Sequence, residues 1–213
     1  MVEVVAALLP PTAKVSILVS NPIKLALIYG SAREGRFCDK VADWAAAEIR
    51  GAGGFALDLI DPARLDLALG GHGPGHAALA NLARRIDAAE AFVIVTPEYN
   101  RGYPAPLKAL IDSCSVEWHA KPVGFISYGG VSGGLRAVEQ LRLVFAELHA
   151  VTLRDSVSFA NPWGSFDRNG RLVDSEEGRR ALSKMLGRMR WWAATLREGR
   201  RTEAYTQAYE VAA

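Results

Sequence analysis

Ile23-Lys-Leu-Ala-Leu-Ile-Tyr-Gly-Ser-Ala-Arg-Glu-Gly-Arg-Phe-Cys38 is the stretch on which the fold of this chain turns. Its first seven residues are apolar apart from Lys24 and stop at a glycine, the pattern of a short buried strand. From Phe37 to Arg50 the period changes, and Val41, Trp44, Ala45 and Ile49 fall on one helical face. A strand that runs through a short loop straight into a helix is the opening of a βαβ unit. The pattern then repeats. Phe55 to Asp61 reads as a second strand, Leu79, Leu82, Ala83 and Ile86 as a helix, and Ala91 to Thr96 as a third strand. Leu107, Leu110, Ile111 and Cys114 recur at helical spacing behind Pro104 and Pro106, and proline suits a helix start. Val123 to Tyr128 is a fourth strand. Leu135, Val138, Leu141, Phe145 and Leu148 form the next stripe, and Val151 to Phe159 a fifth strand. Leu182, Met185, Leu186, Met189, Ala193 and Leu196 give the last helix its apolar side.

Strands alternating with helices predict an α/β chain with a parallel sheet covered on both faces. The first, third and fourth strands are nearly continuous apolar runs and belong in the centre. The second and fifth alternate polar with apolar residues, as edge strands do. That arrangement gives a doubly wound five-stranded sheet of order 2-1-3-4-5, the flavodoxin-like order. A sixth strand would have to come from residues 15–19 or from the stretch between Arg168 and Val173. The chain divides into an N-terminal extension over 1–22, one domain over 23–198 and a C-terminal tail over 199–213.

The 213 residues are 50% hydrophobic and 23% charged, a balance that excludes disorder and collagen-like repeats. A net charge of +2 argues against nucleic acid and membrane surfaces as partners. No run of about eighteen apolar residues predicts a membrane span. Two cysteines, Cys38 and Cys114, fit a reducing compartment, and the first residues, with Glu3 and Pro10-Pro11, do not read as a signal peptide. A cytoplasmic location is expected. Gly71-His-Gly-Pro-Gly-His76, His119 and His149 lack the clustered carboxylates or thiolates of a metal site, so no metal is expected. The basic run from Arg179 to Arg201 reads as a solvated helix face, and Trp191 and Trp192 cannot both face one core.

In an open parallel sheet ligands bind beyond the carboxyl ends of the strands, where strand order reverses. Three loops meet there: residues 30–36, 97–103 and 129–134. The first offers free N–H groups at a helix start, the hydroxyl of Ser31, and Arg33 and Arg36, a setting for a phosphate. Arg36-Phe37 stands where a nucleotide-triphosphate loop needs Lys-Ser/Thr, and G-x-G-x-x-G does not follow this strand, so a monophosphate or one end of a phosphorylated cofactor fits best. The second loop, Thr96-Pro-Glu-Tyr-Asn-Arg-Gly-Tyr-Pro104, suits a flat heteroaromatic ring with imide-like groups; as a bare turn it would only set geometry.

Gly30-Ser-Ala-Arg-Glu-Gly-Arg, Thr96-Pro-Glu-Tyr-Asn, Leu107-Lys-Ala-Leu-Ile-Asp112 and Ser127-Tyr-Gly-Gly resemble the NADPH-dependent FMN reductase family of flavin, quinone, azo-dye and chromate reductases, over about residues 23–160. The resemblance implies a flavodoxin-like FMN-binding domain. It assigns the FMN phosphate to Ser31, Arg33, Arg36, Phe37 and Cys38. Pro97, Glu98, Tyr99 and Asn100 would lie along the isoalloxazine ring, and Ser127, Tyr128, Gly129 and Gly130 against its other edge. It further implies NADPH or NADH as co-substrate, a small-molecule electron acceptor, hydride passing through non-covalently bound FMN, no obligatory catalytic side chain, and a homodimer or homotetramer. Two other classes share the sheet order. A flavodoxin-like electron carrier is usually strongly acidic, and a phospho-signalling domain needs an acidic cluster where this chain supplies only Glu98.

Overall fold

A computed structural model describes residues 21–65, 77–167, 171–173 and 176–205. The strands are β1 (Ile23–Tyr29), β2 (Phe55–Ile60), β3 (Ala91–Pro97), β4 (Pro122–Gly129) and β5 (Val151–Ala160). The helices are α1 (Cys38–Ala52), α2 (Ala77–Ala88), α3 (Ala105–Asp112), α4 (Leu135–Glu147) and α5 (Glu176–Thr202). All strand pairs are parallel and their order is β2-β1-β3-β4-β5. The two strands whose sequences alternate are the edges, because only an edge leaves half of each strand to water.

The pleat of β1 divides the core. Leu25 and Leu27 point to one face with Val93 and Val95, where α1 and α5 cover them through Val41, Ile49, Met185 and Met189. Ala26 and Ile28 point to the other with Phe92 and Ile94, under α2, α3 and α4. Between β4 and β5 the register slips: Val123 pairs with Thr152 but Phe125 with Ser156, so β5 carries two extra residues there.

Several expectations change. Leu135, read as part of the α4 stripe, is 47% exposed, and the buried set is Ala137, Val138, Leu141 and Phe145. At 100° per residue Leu135 lies roughly 100° round the helix from the centre of that set. The stretch before Val173 forms no sixth strand among the described residues; Phe166 and Leu172 make one isolated antiparallel bridge. The candidate strand at 15–19 and the histidines of the Gly71–His76 loop lie outside the described residues. Trp191 is 57% exposed and stands edge-on to Trp192, which packs against the α5 core. The basic run is met by carboxylates: Arg179 with Glu48, Lys184 with Asp155, and Arg197 with Glu90. No helix among the described residues is long and apolar enough to cross a membrane.

Candidate functional site

At the β1/β3 switch the first loop leaves pressed against its neighbour. Gly30 N donates to Val95 O at 2.7 Å, and a Cβ on Gly30 would stand 2.6 Å from that same oxygen. Only glycine fits so close an approach of two backbones. Ser31, fully buried, turns its Oγ to the Tyr99 hydroxyl at 3.0 Å and accepts from Arg33 N at 3.4 Å. Arg33 stacks its guanidinium 3.7 Å over the Tyr99 ring and is otherwise exposed. The N–H groups of Ala32, Glu34, Gly35 and Phe37 make no hydrogen bond among the described residues. Ser31, Arg33 and Tyr99 therefore form one continuous wall.

Arg36 is placed differently. Its guanidinium makes a bidentate pair with Asp61 at 2.7 and 2.6 Å, donates to Asp39 at 2.8 Å and also donates to the Ser31 carbonyl. Those hydrogen bonds, Asp61 first, raise its pKa further above the ordinary arginine range. Burial alone would lift the Asp61 carboxyl, but Arg36 and the Ala63 N–H hold it below the ordinary range. The side chain thus ties the first loop to the end of β2. Phe37 packs its ring against Tyr128 and Phe166. Cys38 begins α1 facing inward, its Sγ 3.6 Å from Val95 O, and burial pushes its thiol up to about 11. No reactive thiolate stands there.

Pro97 ends β3 in the core, and Glu98 N donates to Tyr128 O at 3.1 Å. The Glu98 carboxylate turns to the start of α4, accepting from Ser132 Oγ at 2.7 Å, Arg136 N at 3.2 Å and Arg136 Nη1 at 2.8 Å. Burial would raise its pKa, but these bonds bring it below the ordinary value. Tyr99 and Gly102 exchange both backbone hydrogen bonds around a two-residue tip, Asn100 and Arg101, with φ of 50° and 67°. Left-handed values at both central residues are those of a hairpin turn, and asparagine tolerates them best. The N–H groups of Asn100 and Arg101 are left without partners among the described residues, while Gln140 Nε2 holds the Arg101 carbonyl at 3.0 Å.

In the third loop Ser127 Oγ donates to Gly133 O at 2.8 Å. The Tyr128 ring is buried, burial raises its hydroxyl pKa, and its oxygen has no partner among the described residues. Gly129 is buried, whereas Gly130 is exposed and a Cβ there would meet nothing within 4 Å. The predicted residues thus divide. Arg33, Tyr99, Asn100 and Gly130 reach the surface of the crevice, and Ser31, Arg36, Phe37, Cys38, Pro97, Glu98, Ser127, Tyr128 and Gly129 hold the loops from behind. Sequence reading missed Asp61, Ser132, Arg136 and Gln140. The strand order was the available signal for Asp61, since it follows β2 beside the first loop. Nothing local marks the three residues of the third loop and α4.

The family model described as NADPH-dependent FMN reductase matches residues 23–164. An NAD(P)H-dependent FMN reductase of Schizosaccharomyces pombe is 33% identical over 121 residues, 52% of this chain and 60% of that protein. An NAD(P)H:quinone oxidoreductase of Solanum tuberosum is 31% identical over 178 residues, 77% of this chain and 90% of that one. The solved structure of the flavoenzyme NAD(P)H:(acceptor) oxidoreductase of Paracoccus denitrificans has a TM-score of 0.65 at 19% identity, over 83% of this chain and 98% of its own, a likeness of fold. With two thirds of its length matched by one family model and the expected sheet order in place, the chain belongs to the NADPH-dependent FMN reductase family.

Proposed function

We propose that this member holds FMN non-covalently at the β1/β3 switch and oxidises NADPH or NADH, delivering the electrons to a flavin, quinone or other small acceptor. The observation that carries the reading is the donor set. The first loop presents several free N–H groups and the exposed guanidinium of Arg33 beside the buried Ser31 hydroxyl, and its one carboxylate, Glu34, is exposed and makes no ion pair among the described residues. Such a set suits a phosphate dianion. The free N–H groups of Asn100 and Arg101 suit the imide edge of a ring, and Gly130 leaves room beside it. Bound there, FMN supplies the redox chemistry, alternating between reduction by NAD(P)H and oxidation by the acceptor.

The chain's own residues bind and orient. Ser31, Arg33 and the main chain through Arg36, Phe37 and Cys38 take the phosphate. Tyr99 and Asn100 line one side of the ring with Pro97 and Glu98 behind them, and Gly130 lines the other with Ser127, Tyr128 and Gly129 behind it. Glu98, paired with Arg136 and Ser132, keeps the two walls at a fixed spacing and brings no free charge to the ring. No side chain is assigned as acid or base. We further propose a cytoplasmic homodimer or homotetramer whose functional domain is 23–198, flanked by the extension 1–22 and the tail 199–213. Mixing FMN-loaded protein with NADPH, and separately NADH, without oxygen tests the activity. The flavin should bleach before any acceptor is added, and double-reciprocal plots with a quinone should be parallel. A flavin that stays yellow with both nucleotides leaves an electron carrier instead.

A further inference from the structure

The opposite end of the sheet, about 20 Å from the flavin crevice along a seven-residue strand, holds a second feature. A cavity of about 850 Å³ opens there between the start of β1, the end of α2, the segment before β4 and the end of α5. Its size lies in the range of small-molecule sites.

Its charges do not balance. Lys121 is only 5% exposed, and its Nζ donates to the carbonyls of Ile86 at 3.0 Å and Asp87 at 2.7 Å. Those carbonyls end α2, where the helix dipole favours a cation but supplies no full negative charge. Arg200, half-buried, donates through Nη1 to the Ala120 carbonyl. Neither cation makes an ion pair among the described residues. The carboxylates at hand are already engaged or solvated: Glu90 holds Arg197 at 2.5 and 2.6 Å and accepts from Lys24 N, Glu117 accepts from Ser115 N at 2.9 Å, and Asp87 is exposed. Burying a cation without a counter-charge is costly, and the strain is visible in both groups. Burial pushes Lys121 down to about 8 and lowers Arg200, by more than the nearby carboxylates of Asp87 and Glu90, with Glu117 at Lys121, offset. Each keeps donors to spare, since an ammonium has three protons and a guanidinium five. Lys24 and Arg201 add positive charge at the rim.

We infer that this cavity is a second ligand site, separate from the flavin crevice, which takes a compact multivalent anion, a phosphate ester or a polycarboxylate, on Lys121 and Arg200. The test uses protein saturated with FMN, so that the crevice is filled, and titrates it with inorganic phosphate and with citrate by calorimetry against sodium chloride of equal ionic strength. One saturable site with phosphate or citrate, and none with chloride, is expected; the tighter of the two tells whether phosphate esters or carboxylates are the natural class. Lys121→Met and Arg200→Met should each weaken that anion at least tenfold, with bleaching by NADPH unchanged. Arg200→Lys provides a milder second variant, expected to retain part of the affinity. Absence of saturable binding by both anions overturns the inference, as does binding that survives both substitutions.

Discussion

Replacing Arg36 by methionine separates two roles that the sequence places on one residue, contact with a phosphate and support of the loop that carries it. The guanidinium faces Asp61 through two short bonds, and the two side chains are 8% and 12% exposed. Removing one partner of a buried pair costs roughly 3–5 kcal/mol because the other charge is left behind. Asp61 would retain the Ala63 N–H and the largely exposed Arg64, so the lower end applies, about 3 kcal/mol. The bond to the half-exposed Asp39 adds little. For a chain of this length 1 kcal/mol moves the melting temperature by about 2–4 °C, so Arg36→Met should melt roughly 6–12 °C lower. Thermal unfolding followed by circular dichroism reads the shift, and flavin fluorescence titrations read affinity. FMN and riboflavin should weaken together, by whatever the loosened loop costs both. A melting change under about 2 °C would show that the pair supports nothing. A tenfold loss for FMN alone would show instead that the guanidinium meets the phosphate.

Arg33→Ala should give the opposite pattern, weakening FMN by roughly 1.5–3 kcal/mol and riboflavin little, because its guanidinium is stacked on Tyr99 and otherwise free; the same titrations check it. Tyr99→Phe removes only a bond to Ser31 Oγ and should cost FMN binding no more than about 1 kcal/mol. Gly30→Ala drives a methyl into the Val95 carbonyl and should destabilise the fold by about 1–3 kcal/mol in a urea titration. The carboxyls of Asp61 and Glu98 are held below their ordinary range, so their contribution is complete above the unfolded-state value of about 4 and lost as pH falls through the lower folded-state values. Melting temperature should therefore fall on acidification below about pH 4, and Glu98→Gln should flatten that fall. An unchanged acid profile in that variant would remove Glu98 from the account.

What the sequence determined alone was the periodic part of the molecule. Apolar runs, stripes and the half-polar character of β2 and β5 give strand order, because burial acts on each strand according to its neighbours on both faces. The order in turn locates the crevice, and glycine, proline and asparagine mark the loops around it through local backbone geometry. Direction was not legible. Arg33 and Arg36 stand three residues apart in one loop, yet one lies over Tyr99 and the other is drawn to Asp61 just past β2, twenty-five residues away. Glu98 sits in the ring-facing motif but spends its charge on Arg136, thirty-eight residues on. Side-chain direction at these positions is chosen by charges that only the assembled sheet brings within about 3 Å, where a hydrogen-bonded ion pair outweighs any local preference. Lys121 and the half-buried Arg200 are likewise placed by the assembled fold, on backbone carbonyls rather than carboxylates, since Ile86, Asp87, Ala120 and the end of α5 meet only when the strands are in register. Period is a property of the chain, and pairing is a property of the fold.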